Sequence, residues 1–180
     1  MPSIIDRLRN PRVAAALIGF AAFGTIVGAL VFEHVFGLQP CPLCLRQRYP
    51  YYAAIPIALA ATVLPGGTWV RAGLGCLAVI FLVSAGLGLH HAGVEWGWWA
   101  GPADCAGASA PPAGTMGDFL NRLQTTRVVS CTNAAWRFLG LSLAGWNVLI
   151  SLTLALASIA SMASWSGLTR PSRAGKGASS

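Results

Sequence analysis

The chain has 180 residues, of which 55% are hydrophobic and only 9% are charged, and its formal net charge is +7. Soluble domains usually carry about 25% charged residues, so this composition excludes an ordinary water-soluble domain and favours a membrane protein. The Lys and Arg residues are then a guide to membrane topology, and we expect no nucleic-acid partner.

Four long apolar runs follow one another along the chain, each close to the roughly 20 residues that a membrane helix needs. We expect spans at about 13–32, 43–64, 72–90 and 139–163. The first run is longer than the apolar part of a signal peptide, which favours a retained helix. The predicted fold is an all-α membrane protein, a four-transmembrane-helix bundle forming one domain over residues 1–164. Residues 165–180 are expected to be a disordered tail.

The distribution of basic residues predicts the orientation of these spans. With four spans both termini lie on one side, and that side holds seven of the 12 Lys and Arg residues. The positive-inside rule therefore places both termini in the cytoplasm. A short loop at about 33–42 and a long loop at about 91–138 then face outwards. The spacing of apolar residues predicts an amphipathic helix at Met116–Val129, which lies either on the membrane or over a small loop core.

Four of the five cysteines fall in or beside the outer loops, where disulfides form and persist: Cys41, Cys44, Cys105 and Cys131. The fifth, Cys76, lies alone within the third predicted span. We expect Cys76 to be a small buried hydrophobic residue.

The first cysteine pair is a C-x-x-C motif, Cys41-Pro42-Leu43-Cys44, that opens a helix. Proline suits the first helical position, which places Cys41 at the N-cap and Cys44 in the first turn. The free amides and the helix dipole stabilise a thiolate there. Arg48 follows four residues after Cys44, and its guanidinium favours the thiolate and can donate hydrogen bonds to an oxygen acceptor. These features favour Cys44 as the nucleophile that faces the membrane.

Two other interpretations of the motif are weaker. A structural disulfide would close too short a loop to stabilise much. A zinc site would need the second cysteine pair or His90 and His91 as further ligands, and the second pair lacks C-x-x-C spacing. We therefore expect no metal. His90, His91 and Glu33 lie near outer span ends and are left unassigned between a role in the site and an interfacial one.

The second pair, Cys105 and Cys131, brackets irregular chain that we expect to be accessible to a partner's thiolate. A structural loop disulfide is the alternative for this pair taken alone.

Together these motifs resemble the DsbB family. The resemblance rests on Cys41-Pro42-Leu43-Cys44 with Gln47-Arg48 at the start of the second span, and on Cys131 followed by Trp136, Phe138, Leu139, Gly140, Leu141 and Trp146. It implies an inner-membrane thiol:quinone oxidoreductase with its reactive cysteines in the periplasm. Such a protein re-oxidises a DsbA-like thioredoxin-fold protein and passes the electrons to ubiquinone or menaquinone.

The resemblance also implies a role for each cysteine. The DsbA-like partner attacks the disulfide of Cys105 and Cys131 through Cys105, and the released Cys131 attacks Cys41. Cys44 is freed as a thiolate and donates to the quinone, with Arg48 beside the quinone oxygen. Two alternatives stay open: a vitamin K epoxide reductase-like enzyme, in which the C-x-x-C should come near the last span, and a non-catalytic membrane scaffold with two structural disulfides.

Overall fold

The computed structural model describes residues 10–102, 115–117 and 130–168, with side chains as far as residue 164. In this part of the chain the helices are α1 (Pro11–His34), α2 (Pro42–Arg46), α3 (Arg48–Val63), α4 (Gly67–Glu95) and α5 (Leu143–Leu168). A small antiparallel hairpin of β1 (Arg137–Phe138) and β2 (Leu141–Ser142) precedes α5. The fold is mostly helical, as predicted, apart from these two short strands.

Three of the described helices are long and apolar enough to cross a membrane: α1, α4 and the Leu143–Ser164 part of α5. The fourth, α3, has 16 residues and is shorter. Large apolar side chains such as Phe20, Leu59 and Val79 are exposed on the outer faces of these helices. Contiguous apolar surface of this kind is suited to lipid rather than to water. The protein is therefore a helical membrane protein.

Helix α1 begins at Pro11, directly after the Asn10 side chain that caps it. The Asn10 side chain accepts a hydrogen bond from the Arg12 amide at 3.0 Å, and Pro11 occupies the first helical turn. Asn caps a free amide at a helix start, and proline there leaves no amide unpaired. As a result α1 starts two residues before the predicted boundary at residue 13.

The second predicted span, at about 43–64, is not one continuous helix. It is divided into α2 and α3, which meet at Gln47. Pro50 explains the break, because proline cannot donate to the Arg46 carbonyl and its ring crowds that oxygen. The Gln47 amide instead bonds to the Leu43 and Leu45 carbonyls.

Helix α4 is longer than the third predicted span at about 72–90. It runs from Gly67 to Glu95, after a turn in which Gly66 has a φ of 94°. Its last turn therefore carries residues that the sequence analysis assigned to the long outer loop. The amphipathic helix predicted at Met116–Val129 lies outside the described residues, except for 116 and 117.

The fourth predicted span, at about 139–163, starts later than expected. Leu139 and Gly140 both have positive φ values, 51° and 81°, and form the turn of the hairpin. Ser142 then accepts a hydrogen bond from the Gly145 amide at 3.2 Å, which is a cap that starts α5. At its other end α5 extends to Leu168, into the segment predicted to be a tail. Residues 169–180 lie outside the described residues.

Small residues set the contacts between helices. Helix α4 packs chiefly on α5, and α3 packs on both α1 and α4. At Gly19 an added Cβ would lie 2.8 Å from the Ala58 Cβ, and at Gly73 it would lie 2.6 Å from the Ala61 Cβ. Helices in a membrane associate through close packing at such positions. These two glycines let α3 lie against α1 and α4.

We predict that Gly73→Ala will destabilise the protein by about 1–3 kcal/mol, because the new methyl group forces α3 and α4 apart. Gly86→Ala is the matched control on the same helix, since a Cβ there meets nothing within 4 Å. Thermal unfolding in detergent measures both variants. Equal unfolding temperatures for the two variants would contradict the close packing at Gly73.

Candidate functional site

The C-x-x-C motif forms the start of α2, as the sequence predicted. Cys41 is the N-cap residue, and its sulfur accepts a hydrogen bond from the Cys44 amide at 3.2 Å. Pro42 takes the first helical position. The cap geometry turns both sulfur atoms to the same side, so that they lie 2.8 Å apart with both cysteines free.

The two sulfurs differ in environment. Cys41 is 4% exposed, whereas Cys44 is partly exposed and lines a cavity. The hydrogen bond from the Cys44 side chain, helped by His91 and the Cys44 amide, holds the pKa of Cys41 well below its usual value, and burial only partly opposes this. Of the two cysteines, Cys41 is therefore the one that ionises more readily. The sequence analysis had placed the stabilised thiolate on Cys44.

His91 is part of the site. The whole residue is 3% exposed, and its Nε2 lies 3.6 Å from the Cys41 sulfur. Its Nδ1 lies 2.6 Å from the Gln47 side-chain nitrogen. The neighbouring His90 is exposed and stacks on Trp99 instead. The structure thus separates two histidines that the sequence left equivalent.

A chain of hydrogen bonds fixes which His91 nitrogen carries the proton. The Gln47 oxygen accepts from the Asn147 amide at 2.7 Å, and the Asn147 oxygen accepts from the Tyr51 hydroxyl at 2.7 Å. Tyr51 also contacts Ser151, which donates to Ser84. With these orientations Gln47 donates to His91 Nδ1, so the proton of neutral His91 is on Nε2 and faces Cys41.

Glu95 is a site residue that the sequence analysis missed, since it falls in the long outer loop predicted at about 91–138. It lies in the last turn of α4, four residues after His91, and both side chains are 4% exposed. One carboxylate oxygen lies 3.7 Å from His91 Nε2. The i, i+4 spacing was visible in the sequence. The predicted end of the span at residue 90 concealed it.

Arg48 lies beside the dithiol but is held by an acidic partner. Its guanidinium donates to the Glu33 carboxylate at 2.6 Å, with side-chain exposures of 13% and 25%. Cys44 belongs to α2, whereas Arg48 opens α3. Both residues nevertheless line the same cavity. Glu33, left unassigned from the sequence, is the ion-pair partner of Arg48.

Cys131 is disulfide-bonded and 1% exposed. It packs in one buried cluster with Cys41, Leu43 and Val94, and Cys44 lies against that cluster. The prediction that Cys131 sits in accessible chain was therefore wrong, because the loop folds it onto the C-x-x-C motif. Cys105 lies outside the described residues.

The remaining cysteine also differs from expectation. Cys76 is exposed on α4, not buried. The spans predicted a buried position, but helix rotation depends on packing, and this face of α4 is directed outwards. Cys76 is remote in sequence from the site and contributes nothing to it.

Cys41, Cys44 and His91 place one donor atom each within 4.8 Å of one another, a spacing that metal sites also show. Of the two zinc sites considered from the sequence, the one with the second cysteine pair would need Cys131, whose sulfur is in a disulfide. The one with His90 and His91 keeps only His91 beside the dithiol, because His90 stacks on Trp99. The short contact between the two free sulfurs and the histidine beside them match a redox dithiol.

A cavity of about 420 Å³ opens beside Cys44. Its walls are mostly apolar and come from α1, α3, α5 and the hairpin, with Phe32, Trp136 and Trp146 among them. Arg48, Gln47 and His91 supply the polar groups at the cysteine end. Cavities of this size and composition bind small, largely apolar molecules whose few polar atoms are recognised at one end.

The fold and the site together define a helical membrane protein with a reactive dithiol at the edge of an apolar cavity. The sequence model of the family described as "Disulfide bond formation protein DsbB" matches residues 11–161. The chain belongs to the DsbB family, whose members are membrane oxidoreductases of disulfide bond formation.

Several relatives carry the name "Disulfide bond formation protein B". The one from Marinobacter nauticus is 33% identical over 147 residues, which cover 78% of this chain and 85% of the relative. The one from Saccharophagus degradans is 30% identical over 173 residues, covering 92% and 98%. The one from Xanthomonas campestris pv. campestris is 32% identical over 151 residues, covering 79% and 86%.

Proposed function

We propose that this chain is an inner-membrane thiol:quinone oxidoreductase that re-oxidises a periplasmic DsbA-like dithiol protein. The observation that carries the proposal is the burial of Cys131 in one cluster with Cys41, beside a dithiol whose second sulfur lines an apolar cavity. A disulfide, a dithiol and a cavity in this order form a path for electrons from a protein partner to a small lipophilic acceptor.

The proposed topology follows from the sequence. Helices α1, α4 and α5 each cross the membrane, and α2 with α3 make the fourth span together. Both termini are cytoplasmic, and the four outer cysteines face the periplasm. The start of α2 and the end of α4 then lie at the same outer boundary, which agrees with the contact between Cys41 and His91.

The proposed relay starts at the disulfide of Cys105 and Cys131. The thiolate of the partner attacks Cys105, and Cys131 leaves as a thiolate. Cys131 then attacks Cys41 of the oxidised C-x-x-C pair, and Cys44 leaves as a thiolate. Each step exchanges one S–S bond for another, and the attacking sulfur needs only a short approach where the two residues already pack together.

The cavity beside Cys44 fits a quinone. Aromatic and aliphatic walls suit its ring and tail, and the Arg48 guanidinium can donate to a quinone oxygen. When bound, a quinone would accept two electrons and two protons from the dithiol. Cys44 supplies the reacting sulfur because it is the cysteine that lines the cavity, while Cys41 is buried behind it.

The proposal predicts a trapped complex with the protein partner. Cys131→Ser leaves Cys105 without its resolving thiol, so a mixed disulfide between Cys105 and an oxidised DsbA-like protein should accumulate. Non-reducing electrophoresis and peptide mass spectrometry measure it. The Cys105→Ser, Cys131→Ser double variant is the control and should form no such complex. A complex joined through Cys44, or none at all, would contradict the proposed relay.

A further inference from the structure

The least explained group near the dithiol is Glu95. Its side chain is 4% exposed, and its Oε2 has no hydrogen-bond partner among the described residues. The other oxygen approaches His91 Nε2 at 3.7 Å. Burying an ionised carboxylate with so little compensation is costly. A buried carboxyl group that is poorly paired as an anion is suited to taking up a proton.

His91 joins Glu95 to Cys41. Gln47 occupies the Nδ1 side of the ring, so the single proton of neutral His91 is on Nε2. That nitrogen faces two acceptors at almost equal distances, the Cys41 sulfur at 3.6 Å and the Glu95 carboxylate at 3.7 Å. One N–H group therefore lies between two groups that can each carry a negative charge.

Two negative charges at this spacing in a buried site would repel each other, so only one of the two groups is expected to be ionised at a time. From this arrangement we propose that Glu95 is the proton-holding residue of the dithiol: it becomes protonated when Cys41 becomes a thiolate, and the His91 N–H donates to whichever of the two is the anion. This inference rests on the proposed cycling of the Cys41–Cys44 pair.

The transfer balances at named atoms. The Cys41 sulfur gives up one proton and Glu95 Oε1 takes up one, so the number of protons in the site is unchanged. The Nε2 proton of His91 stays in place, and its hydrogen bond shifts from the Glu95 carboxylate to the Cys41 thiolate. The net change is from a Cys41 thiol and a Glu95 carboxylate to a Cys41 thiolate and a Glu95 carboxylic acid.

This arrangement keeps the charge of the site constant during the redox cycle. In the oxidised state the disulfide is neutral and Glu95 carries one negative charge. Two electrons and two protons then give a Cys44 thiol, a Cys41 thiolate and a protonated Glu95, which again carry one negative charge. The site thereby avoids an extra buried charge and stores both protons that a two-electron acceptor needs.

The charged and titratable groups around this unit come from every packed element. Helix α2 contributes Cys41 and Cys44, and α3 contributes Arg48 and Tyr51. Arg48 is already paired with Glu33 of α1. From the loop before the hairpin comes Cys131, which is disulfide-bonded. From α5 the uncharged Asn147 and Ser151 complete the surroundings.

Redox-difference infrared spectroscopy tests the proposal on the full-length, quinone-free protein in detergent with a metal chelator. Reduction of wild type should produce the C=O stretch of one buried carboxylic acid together with the S–H stretch of Cys44. Glu95→Gln should lose the carboxylic acid band and keep the S–H band. Glu33→Gln is the matched control and should keep both. The proposal would be overturned if the carboxylic acid band is absent in wild type, or if it survives in Glu95→Gln.

A second measurement uses the pH dependence of the Cys41–Cys44 redox equilibrium against a dithiol buffer, read by alkylation and peptide mass. Below the pKa of the buffer thiols, wild type and the dithiol buffer both exchange two protons per two electrons, so their equilibrium constant should not change with pH. Glu95→Gln takes up only one proton, so its equilibrium constant should change about tenfold per pH unit. Glu95→Asp should restore the wild-type slope. Equal slopes in wild type and Glu95→Gln would reduce Glu95 to a structural role.

The two proposals fail in different ways. If Cys41 and Cys44 do not cycle between dithiol and disulfide, no S–H band arises and the proposed function itself is wrong. If the S–H band arises without the carboxylic acid band, only the role of Glu95 is wrong.

Discussion

Cys44→Ser is expected to lower quinone reduction by at least about a thousandfold, to the rate of the uncatalysed reaction, because the cavity then contains no sulfur that can pass electrons on. Serine retains a hydroxyl that can donate to Cys41, so the start of α2 should stay intact. The loss of quinol formation is measured with a reduced DsbA-like protein as electron donor and a soluble quinone analogue as acceptor.

Cys76→Ser is the matched control for this variant. It makes the same chemical change on the exposed face of α4, away from the dithiol, and should turn over at the wild-type rate. Normal turnover by Cys44→Ser would show that the C-x-x-C pair does not pass electrons to quinone. A non-catalytic membrane scaffold with two structural disulfides would then be the better interpretation of both cysteine pairs.

Arg48→Gln is expected to raise the apparent KM for quinone about tenfold or more with a smaller effect on kcat. A hydrogen bond to a charged group contributes about 1.5–3 kcal/mol, and 1.4 kcal/mol corresponds to a tenfold change in affinity. Steady-state kinetics over a range of quinone concentrations, with the protein partner saturating, measure the change.

Glu33→Gln separates binding by Arg48 from the ion pair itself. It removes the partner at 2.6 Å but keeps the guanidinium at the cavity, so the KM for quinone should rise less than in Arg48→Gln. If both variants lower the unfolding temperature equally and leave the KM unchanged, Arg48 is only a structural link between α1 and α3.

Much of the fold could be predicted because its causes are local. Uncharged apolar runs marked the long helices, and Pro42 after Cys41 fixed the cap and brought the two sulfurs together. The break at Gln47 was harder to predict, although its cause, Pro50, was in the sequence. A span of the expected length was obtained only by continuing the helix through that proline.

The parts of the site that could not be predicted depend on contacts between distant segments. His91 meets Cys41 across 50 positions of the chain, and Tyr51 meets Asn147 across 96. The burial of Cys131 likewise follows from how the outer loop packs on α2. Glu95 was within reach, because a histidine and a glutamate four residues apart face the same side of a helix, but only if that helix extends past residue 90.

The burial of Cys131 against Cys41 bears on how selective the protein is toward thiols. Thiol–disulfide exchange requires the attacking thiolate to reach a sulfur in line with the S–S bond. Cys131 and Cys41 are 1% and 4% exposed, so a dissolved small thiol such as glutathione cannot approach either sulfur in the arrangement described. The contact between the two segments thus shields the disulfide exchange between Cys131 and Cys41 from thiols in solution. Electrons from the protein partner are therefore not lost to dissolved thiols before they reach the acceptor.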